Sequence, residues 1–290
     1  MKGGEGIWVL TWRRFRRSTI ATIALVFVLF MAVTALLAPL IANDSPRAPV
    51  PFGPNSVDLA RRLQPPDHQH RFGTDDVGRD VLARMIHGAR VSLAVGLAAT
   101  AISLIVGSIL GALAGYYGGV ADWIVSRVIE IVLCFPFLFL VLGIVALFKP
   151  SLYTIMIALG LTSWTTEARF VRGEFLRIRN LDFAHAARAS GARDARIIFR
   201  HLLPNALAPV LVSASFGVAS AILIESALSF LGFGVPLPTA SWGGILAIAE
   251  EHIQYAWWLA FFPGVAIFLT VASFNIVGDR FRDAIDPRSD

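Results

Sequence analysis

Lysine is almost missing from this chain: Lys2 and Lys149 are its only instances, although Lys and Arg together number 25. A phosphate-cradling nucleotide loop needs Gly-x4-Gly-Lys followed by Ser or Thr, and neither lysine stands in such a run. The chain is therefore not expected to hydrolyse ATP. Cysteine is rarer still. Cys134 stands alone beside Phe135 and Pro136, which excludes an internal disulfide or a cysteine-built metal site and leaves a small packed hydrophobe. Neither His-Glu-x-x-His nor Gly-x-Ser-x-Gly occurs, so the signatures of a zinc protease and of a serine hydrolase are missing. Charge is scarce as well: 16% of residues are charged, against about 25% in a soluble domain.

What fills the chain instead is apolar sequence, 56% by residue, with a mean hydropathy of +0.67. It comes in blocks near residues 19–41, 89–116, 121–148, 151–171, 205–233 and 256–277. Blocks of about 20 residues are long enough to cross the ~30 Å hydrocarbon core as helix, so about six spans are expected. The basic run Arg13-Arg14-Phe15-Arg16-Arg17 precedes a first block longer than the 7–15 apolar residues of a signal peptide. It predicts an uncleaved first span with the N-terminus in the cytoplasm. The net charge of +5 is read as positive-inside bias rather than nucleic-acid binding.

The resulting organisation is a cytoplasmic N-terminus with the first span at 1–42, an outer segment at 43–88, five further spans within 89–279, and a cytoplasmic tail at 280–290. Arg172, Arg177, Arg179, Arg188, Arg193 and Arg196 fall in the expected cytoplasmic stretch. Arg61, Arg62, Arg71, Arg79 and Arg84 fall on the outer side, where the rule is weaker for longer translocated loops. Gly107, Gly111 and Gly115 repeat every fourth residue, which predicts a close helix contact with a neighbour the sequence does not identify.

Between the fourth and fifth blocks, Asp182 is expected to cap a short Ala-rich helix, with Gly191 in the left-handed position that ends it. Asp194 is expected to begin a second short helix that stops before Pro204. Such an element is a stiff knob with a mixed docking surface of Arg, Ile197, Ile198 and Phe199; spacing alone leaves an ordinary basic loop equally open.

The run Ala186-Ala187, Gly191 and Leu203-Pro204 resembles the cytoplasmic loop of ABC-importer permeases, with His185 where that family often has Glu and His201 where it often has Ile. Three further stretches resemble the dipeptide/oligopeptide/nickel-type permeases, in the subgroup of the C subunit. They are His70–Asp80 followed by Gly88-Ala89-Arg90-Val91-Ser92-Leu93, then Glu225–Gly234 with Ser241-Trp242-Gly243, then Phe274-Asn275, Gly278-Asp279 and Arg282–Arg288. Arg280 stands where a small residue is usual.

The resemblance implies an all-α polytopic membrane protein with the type I ABC-importer permease fold, about six transmembrane helices, and a coupling-helix segment at 182–204. It implies half of a translocation pathway for di- or oligopeptides in a prokaryotic cell (inner or plasma) membrane, with both termini cytoplasmic. Nickel or oligosaccharide import is the alternative, and a secondary transporter the rival class, although no internal repeat is evident. The implied partners are a homologous second permease, two ATP-binding subunits that hold ATP and Mg, an extracytoplasmic substrate-binding protein and membrane lipid, with no nucleic acid and no cofactor in this chain. The implied ATPase-coupling residues are His185, Ala186, Ala187, Gly191, Asp194, Arg196, Leu203 and Pro204. Glu130 and Glu225 are candidate pathway residues, with interhelical hydrogen bonding as their other reading. Gly73, Thr74, Asp75, Gly78, Arg79 and Asp80 form a candidate outer-mouth motif, in which the charged members can equally pair with one another. His68 and His70 are too weak a ligand set to predict a metal site.

Overall fold

Helix dominates because the apolar blocks leave the backbone no water to bond with, so its polar groups must be satisfied within each segment. The computed structural model describes residues 7–285; the motif residues Asp286, Pro287 and Arg288 lie outside that range. Helix α1 (Ile7–Arg17) ends at Ser18, whose side chain accepts from the Ala21 N–H and starts α2 (Thr19–Leu36). A break at Leu37 and the one-turn α3 (Ala38–Ile41) follow.

The second span starts earlier than its hydropathy suggests. Helix α4 (Val81–Tyr117) begins directly after Asp80, whose carboxylate accepts from the Ala83 N–H at 2.7 Å. Residues 81–88, expected in the outer segment, are therefore helical. At 37 residues and 1.5 Å per residue, α4 is about 55 Å long and outruns the hydrocarbon core.

The expected third span is broken. Helices α5 (Gly119–Leu133) and α6 (Phe137–Leu147) meet at 87° across Cys134-Phe135-Pro136. Pro136 has no N–H to give to the preceding turn and biases Phe135 away from helical backbone.

Helix α7 (Leu152–Ile178) packs along much of α4. The short α8 (Asp182–Ala189) and α9 (Asp194–Arg196) lead into α10 (Leu203–Phe230). Then α11 (Trp242–His252), which the hydropathy does not single out, precedes α12 (Trp258–Ile285). The expected tail thus begins as helix.

Among the described residues, α2, α4, the Val212–Phe230 part of α10 and α12 are long and apolar enough to cross a bilayer, and the bent α5–α6 pair is a fifth span if taken as one. Helix α7 stands where the fourth apolar block predicted a span, but its second half carries Glu167, Arg169, Arg172, Glu174 and Arg177.

The glycine repeat identifies its neighbour. A Cβ at Gly111 would lie 2.5 Å from the Ala168 carbonyl oxygen, and one at Gly115 would lie 2.5 Å from the Phe175 Cβ. The close contact is with α7 of the same chain, where small residues let two backbones approach without a bulk hydrophobic driving force. Asp122 of α5 and Arg172 of α7 add a two-pronged ion pair, with Nη2 to Oδ2 at 2.8 Å and Nε to Oδ1 as the second prong.

Candidate coupling knob, loop motif and membrane acids

At one end of the bundle, α8 is closed by a glycine turn with two defined bonds. Gly191 has φ +75°, its N–H donates to the Arg188 carbonyl at 2.9 Å, and the Ala192 N–H donates to the Ala187 carbonyl at 3.2 Å. These are the two bonds of a Schellman cap, which satisfies the last carbonyls of a helix.

The start of α8 differs from expectation. Leu181 takes the cap position and Asp182 is the first helical residue, with no side-chain cap bond; its charge favours the helix N-terminus through the dipole. The end of the segment differs too. The chain stays helical through Pro204, because residues Ile197–Leu202 widen to i→i+5 bonding, with the Leu203 N–H reaching the Ile198 carbonyl. Pro204 then follows directly on that widened turn, at the second residue of α10, so the proline sits within a continuing helix.

The knob is fastened to three helix ends. Ala184, Ile197, Ile198 and Leu202 are buried against Ala112 of α4, Val171 and Phe175 of α7, and Ala206 and Val210 of α10. The Tyr116 hydroxyl donates to Asp194 Oδ1 at 2.7 Å, and the Arg188 guanidinium lies 5.7 Å from the Tyr116 ring centre. Of the expected coupling residues, His185, Ala186, Gly191, Asp194, Arg196 and Pro204 are exposed, while Ala187 and Leu203 are half-buried against the cluster beneath. Phe199 is 55% exposed beside them. The result is an exposed surface of mixed apolar and charged groups on a packed base.

At the other end, the 73–80 motif folds on itself. Asp75 accepts from Arg79 Nε at 2.6 Å and from the backbone N–H of Arg79 at 2.9 Å. Arg84 of α4 lies 3.4 Å from the same carboxylate, and its Nη1 donates to the Pro54 carbonyl at 3.0 Å. Asp80, besides capping α4, pairs with His70 Nδ1 at 2.8 Å. Burial pushes its carboxyl above the ordinary value, opposed by those bonds. Trp258 Nε1 donates to the Thr74 carbonyl at 3.0 Å, which ties the motif to the start of α12. Gly78 has φ +79°, and a Cβ there would fall 1.8 Å from the Asp58 carbonyl oxygen; Gly73, likewise at positive φ, lies against the Trp258 indole. Asp75 and Arg79 thus pair with each other, whereas Asp80 finds its partners outside the motif, in His70 and the Ala83 N–H. His70 is committed to Asp80, and His68 is exposed.

The two acids within the helices have opposite surroundings. Glu225 is fully buried. Its Oε2 accepts from Ser92 Oγ of α4 at 3.1 Å and its Oε1 from Ser229 Oγ at 2.8 Å. The neighbouring Trp242 is sealed in, with Nε1 donating to the Met85 carbonyl at 3.1 Å. Glu225 thereby joins α10 to α4 next to the start of α11. Glu130 is instead exposed on α5, paired with Arg127, among exposed Ile124, Val128 and Ile131.

A further acid escaped sequence reasoning: Glu167 of α7 is buried and accepts from Ser213 of α10 at 2.7 Å. Its only signal was a carboxylate within a stretch otherwise read as apolar span.

Comparison with known proteins places this geometry in context. Residues 107–290 match the family described as the binding-protein-dependent transport system inner membrane component. Residues 6–66 match the N-terminal transmembrane domain of oligopeptide transport permease C. A putative peptide transport system permease protein of Brucella suis biovar 1 is 43% identical over 285 residues, covering 98% of this chain and 93% of its own. The dipeptide transport system permease protein DppC of Alkalihalophilus pseudofirmus is 40% identical, with 97% and 90% covered. The oligopeptide transport system permease protein OppC of Bacillus subtilis is 36% identical, with 99% and 92% covered. Among solved structures, the MetNI methionine ABC transporter in an inward-facing conformation includes a chain that matches with a TM-score of 0.57 at 20% identity, covering 71% of this chain and 97% of that one. That likeness carries the fold.

Proposed function

Because the chain belongs to the family of binding-protein-dependent transport inner membrane components, we propose that it is the permease subunit of an ATP-binding-cassette importer and forms half of a pathway for di- or oligopeptides. Relatives with near-complete coverage are named for peptide, dipeptide and oligopeptide transport, which supports that substrate class. A second, homologous permease completes the pathway, two ATP-binding subunits hold ATP and Mg, and an external binding protein delivers the peptide. The membrane is the inner membrane of a bacterium. The knob and both termini face the cytoplasm, and the 43–80 loop faces outward.

The observation that carries this reading is the knob. Its Schellman-capped α8 and the wide turn after α9 present an exposed surface, while their buried face is packed on the ends of α4, α7 and α10. A force on such an element moves α4, α7 and α10 together, so closure of the ATP-binding subunits biases a helix assembly between two arrangements. Glu225 is read as a helix-joining group. Glu130 and Arg127 are exposed on a helix whose surroundings are apolar, and a charged pair facing lipid at that depth is costly. They are read as lining the seam with the second permease or the aqueous path.

The test is co-purification and uptake in one experiment. The chain is expressed with its operon partners, and ATP-dependent uptake of a labelled dipeptide into proteoliposomes is measured with the binding protein inside the assay. Loss of bound ATPase on disruption of the Gly191 turn, together with loss of uptake, is the expected outcome. ATP-independent uptake by the chain alone would overturn the assignment.

A further inference from the structure

The first helix has no role in the pathway described above, yet it is placed with care. Helix α1 ends in Arg13-Arg14-Phe15-Arg16-Arg17 and carries no acid in its first turn. Phe15 is almost fully buried, its ring 4.7 Å from that of Phe281 near the end of α12, beside Ala21 and Ala284. That contact fixes the rotation of the helix. At about 100° per residue, Arg16 lies about 100° and Arg17 about 160° around the axis from Phe15, and both are exposed. Trp12 is 45% exposed and stacks on Phe15 at 5.7 Å. Immediately after Arg17, Ser18 caps α2, whose 18 residues give about 27 Å of helix, close to the ~30 Å hydrocarbon thickness. The arginines thus sit at the depth where that span leaves hydrocarbon, which is where phosphate headgroups lie.

We propose that α1 is an anionic-lipid-binding element, in which Arg16 and Arg17 take the phosphate headgroups of the leaflet at that end of the bundle while Trp12 rests at the interface. Topological bias alone requires only that basic residues precede the span in sequence. Here they are held on a folded helix, with the buried Phe15 anchoring the opposite side to the end of α12. Basic groups next to a spanning helix attract anionic lipid, and an aromatic at headgroup level is the usual companion. Occupancy of this site would steady the joint between α1 and the last turn of α12.

The test uses the assembled transporter in nanodiscs of phosphatidylcholine, with and without phosphatidylglycerol. Retained lipid is counted by native mass spectrometry. The Trp12 signal is taken as the fluorescence difference between wild type and Trp12→Phe, with brominated lipids as quenchers. Enrichment of phosphatidylglycerol should fall roughly fivefold for each arginine removed in R16Q/R17Q, as expected for about 1 kcal/mol per charge, and R16K/R17K should retain it. Brominated phosphatidylglycerol should quench Trp12 more than brominated phosphatidylcholine. Equal enrichment in wild type and R16Q/R17Q would overturn the proposal, as would equal quenching by the two lipids. Enrichment that soluble inorganic phosphate abolishes would also overturn it, since the site would then take a free anion.

Discussion

The hydroxyl of Tyr116, at the last turn of α4, donates to the carboxylate of Asp194 at 2.7 Å, 78 residues further along the chain. This bond joins the knob to α4 beside the buried apolar cluster, against which Tyr116 itself packs. Tyr116→Phe removes the donor and keeps the ring that Arg188 approaches. An exposed bond of this kind is worth about 0.5–1.5 kcal/mol, so the variant should fold and bind its ATPase. Its expected fault is in coupling: uptake per ATP hydrolysed should drop several-fold, measured as labelled peptide against phosphate release. An unchanged ratio would reduce the bond to a local fastening.

Gly191 should accept no β-branched residue. Its φ of +75° costs an ordinary L-residue about 1–2 kcal/mol, and no atom lies within 4 Å of a Cβ placed there. The fault is therefore in backbone conformation and not in space. Gly191→Val should loosen the Schellman cap and lower ATPase co-purification, whereas Gly191→Asn should keep most of it. Equal binding by the two variants would show that the left-handed turn is dispensable.

Gly111 faces the opposite constraint. A Cβ there meets the Ala168 carbonyl oxygen at 2.5 Å, in backbone that cannot move without separating α4 from α7. Gly111→Leu should cut the yield of folded protein, read by size-exclusion profile in detergent, and Gly111→Ala should show a smaller loss of the same kind. Wild-type melting of Gly111→Leu would mean that the two helices are held chiefly elsewhere.

The apolar blocks made most of the bundle legible, because a run long enough to cross a bilayer has few other uses. Gly191 was legible from its place after an Ala-rich stretch. What escaped were features decided by tertiary partners. Hydropathy could not show that α4 starts at Val81, since Arg84 inside its first turn looks like loop until Asp75 and the Pro54 carbonyl receive it. Nor could it show that Pro204 lies inside a continuing helix, because the wider turn at 197–202 that admits it has no sequence signature. The glycine repeat announced a close contact, but only the fold could name α7 as the neighbour. Glu130 and Glu225 looked alike in sequence, and their difference lies in the packing of their helices, which buries Glu225 against Ser92 and leaves Glu130 exposed beside Arg127.

The outer loop carries a pH dependence of known sign. Asp44 accepts from the Ser56 hydroxyl and from the Gly53 N–H at 2.8 Å, and these bonds hold its carboxyl below the ordinary value of 3.8, the Ser56 bond most of all. The folded value lies below the unfolded one, so the stabilisation is present at neutral pH and is lost as pH falls through the folded value. Limited proteolysis of residues 43–80 should accelerate below that point in wild type. Asp44→Ala should be cleaved faster at neutral pH and lose that component of the acid response.

Glu225 and Glu130 separate assembly from passage. Glu225→Ala leaves the Ser92 and Ser229 hydroxyls without their shared acceptor in a sealed interior, at about 1–3 kcal/mol for an unsatisfied buried group. Glu225→Gln keeps an acceptor and lets the serine hydroxyls rotate to meet the amide. Melting in detergent should therefore fall clearly for Glu225→Ala and little for Glu225→Gln, with uptake following the amount of folded protein in both. Glu130→Ala removes an exposed carboxylate whose side-chain partner among the described residues is Arg127, so its melting should match wild type. If the pair lines the seam or the aqueous path, uptake per folded transporter should nonetheless fall several-fold, and a combined Arg127→Ala/Glu130→Ala change should recover part of it by removing the unpaired charge. Normal uptake by Glu130→Ala at normal yield would assign the pair to the headgroup surface instead.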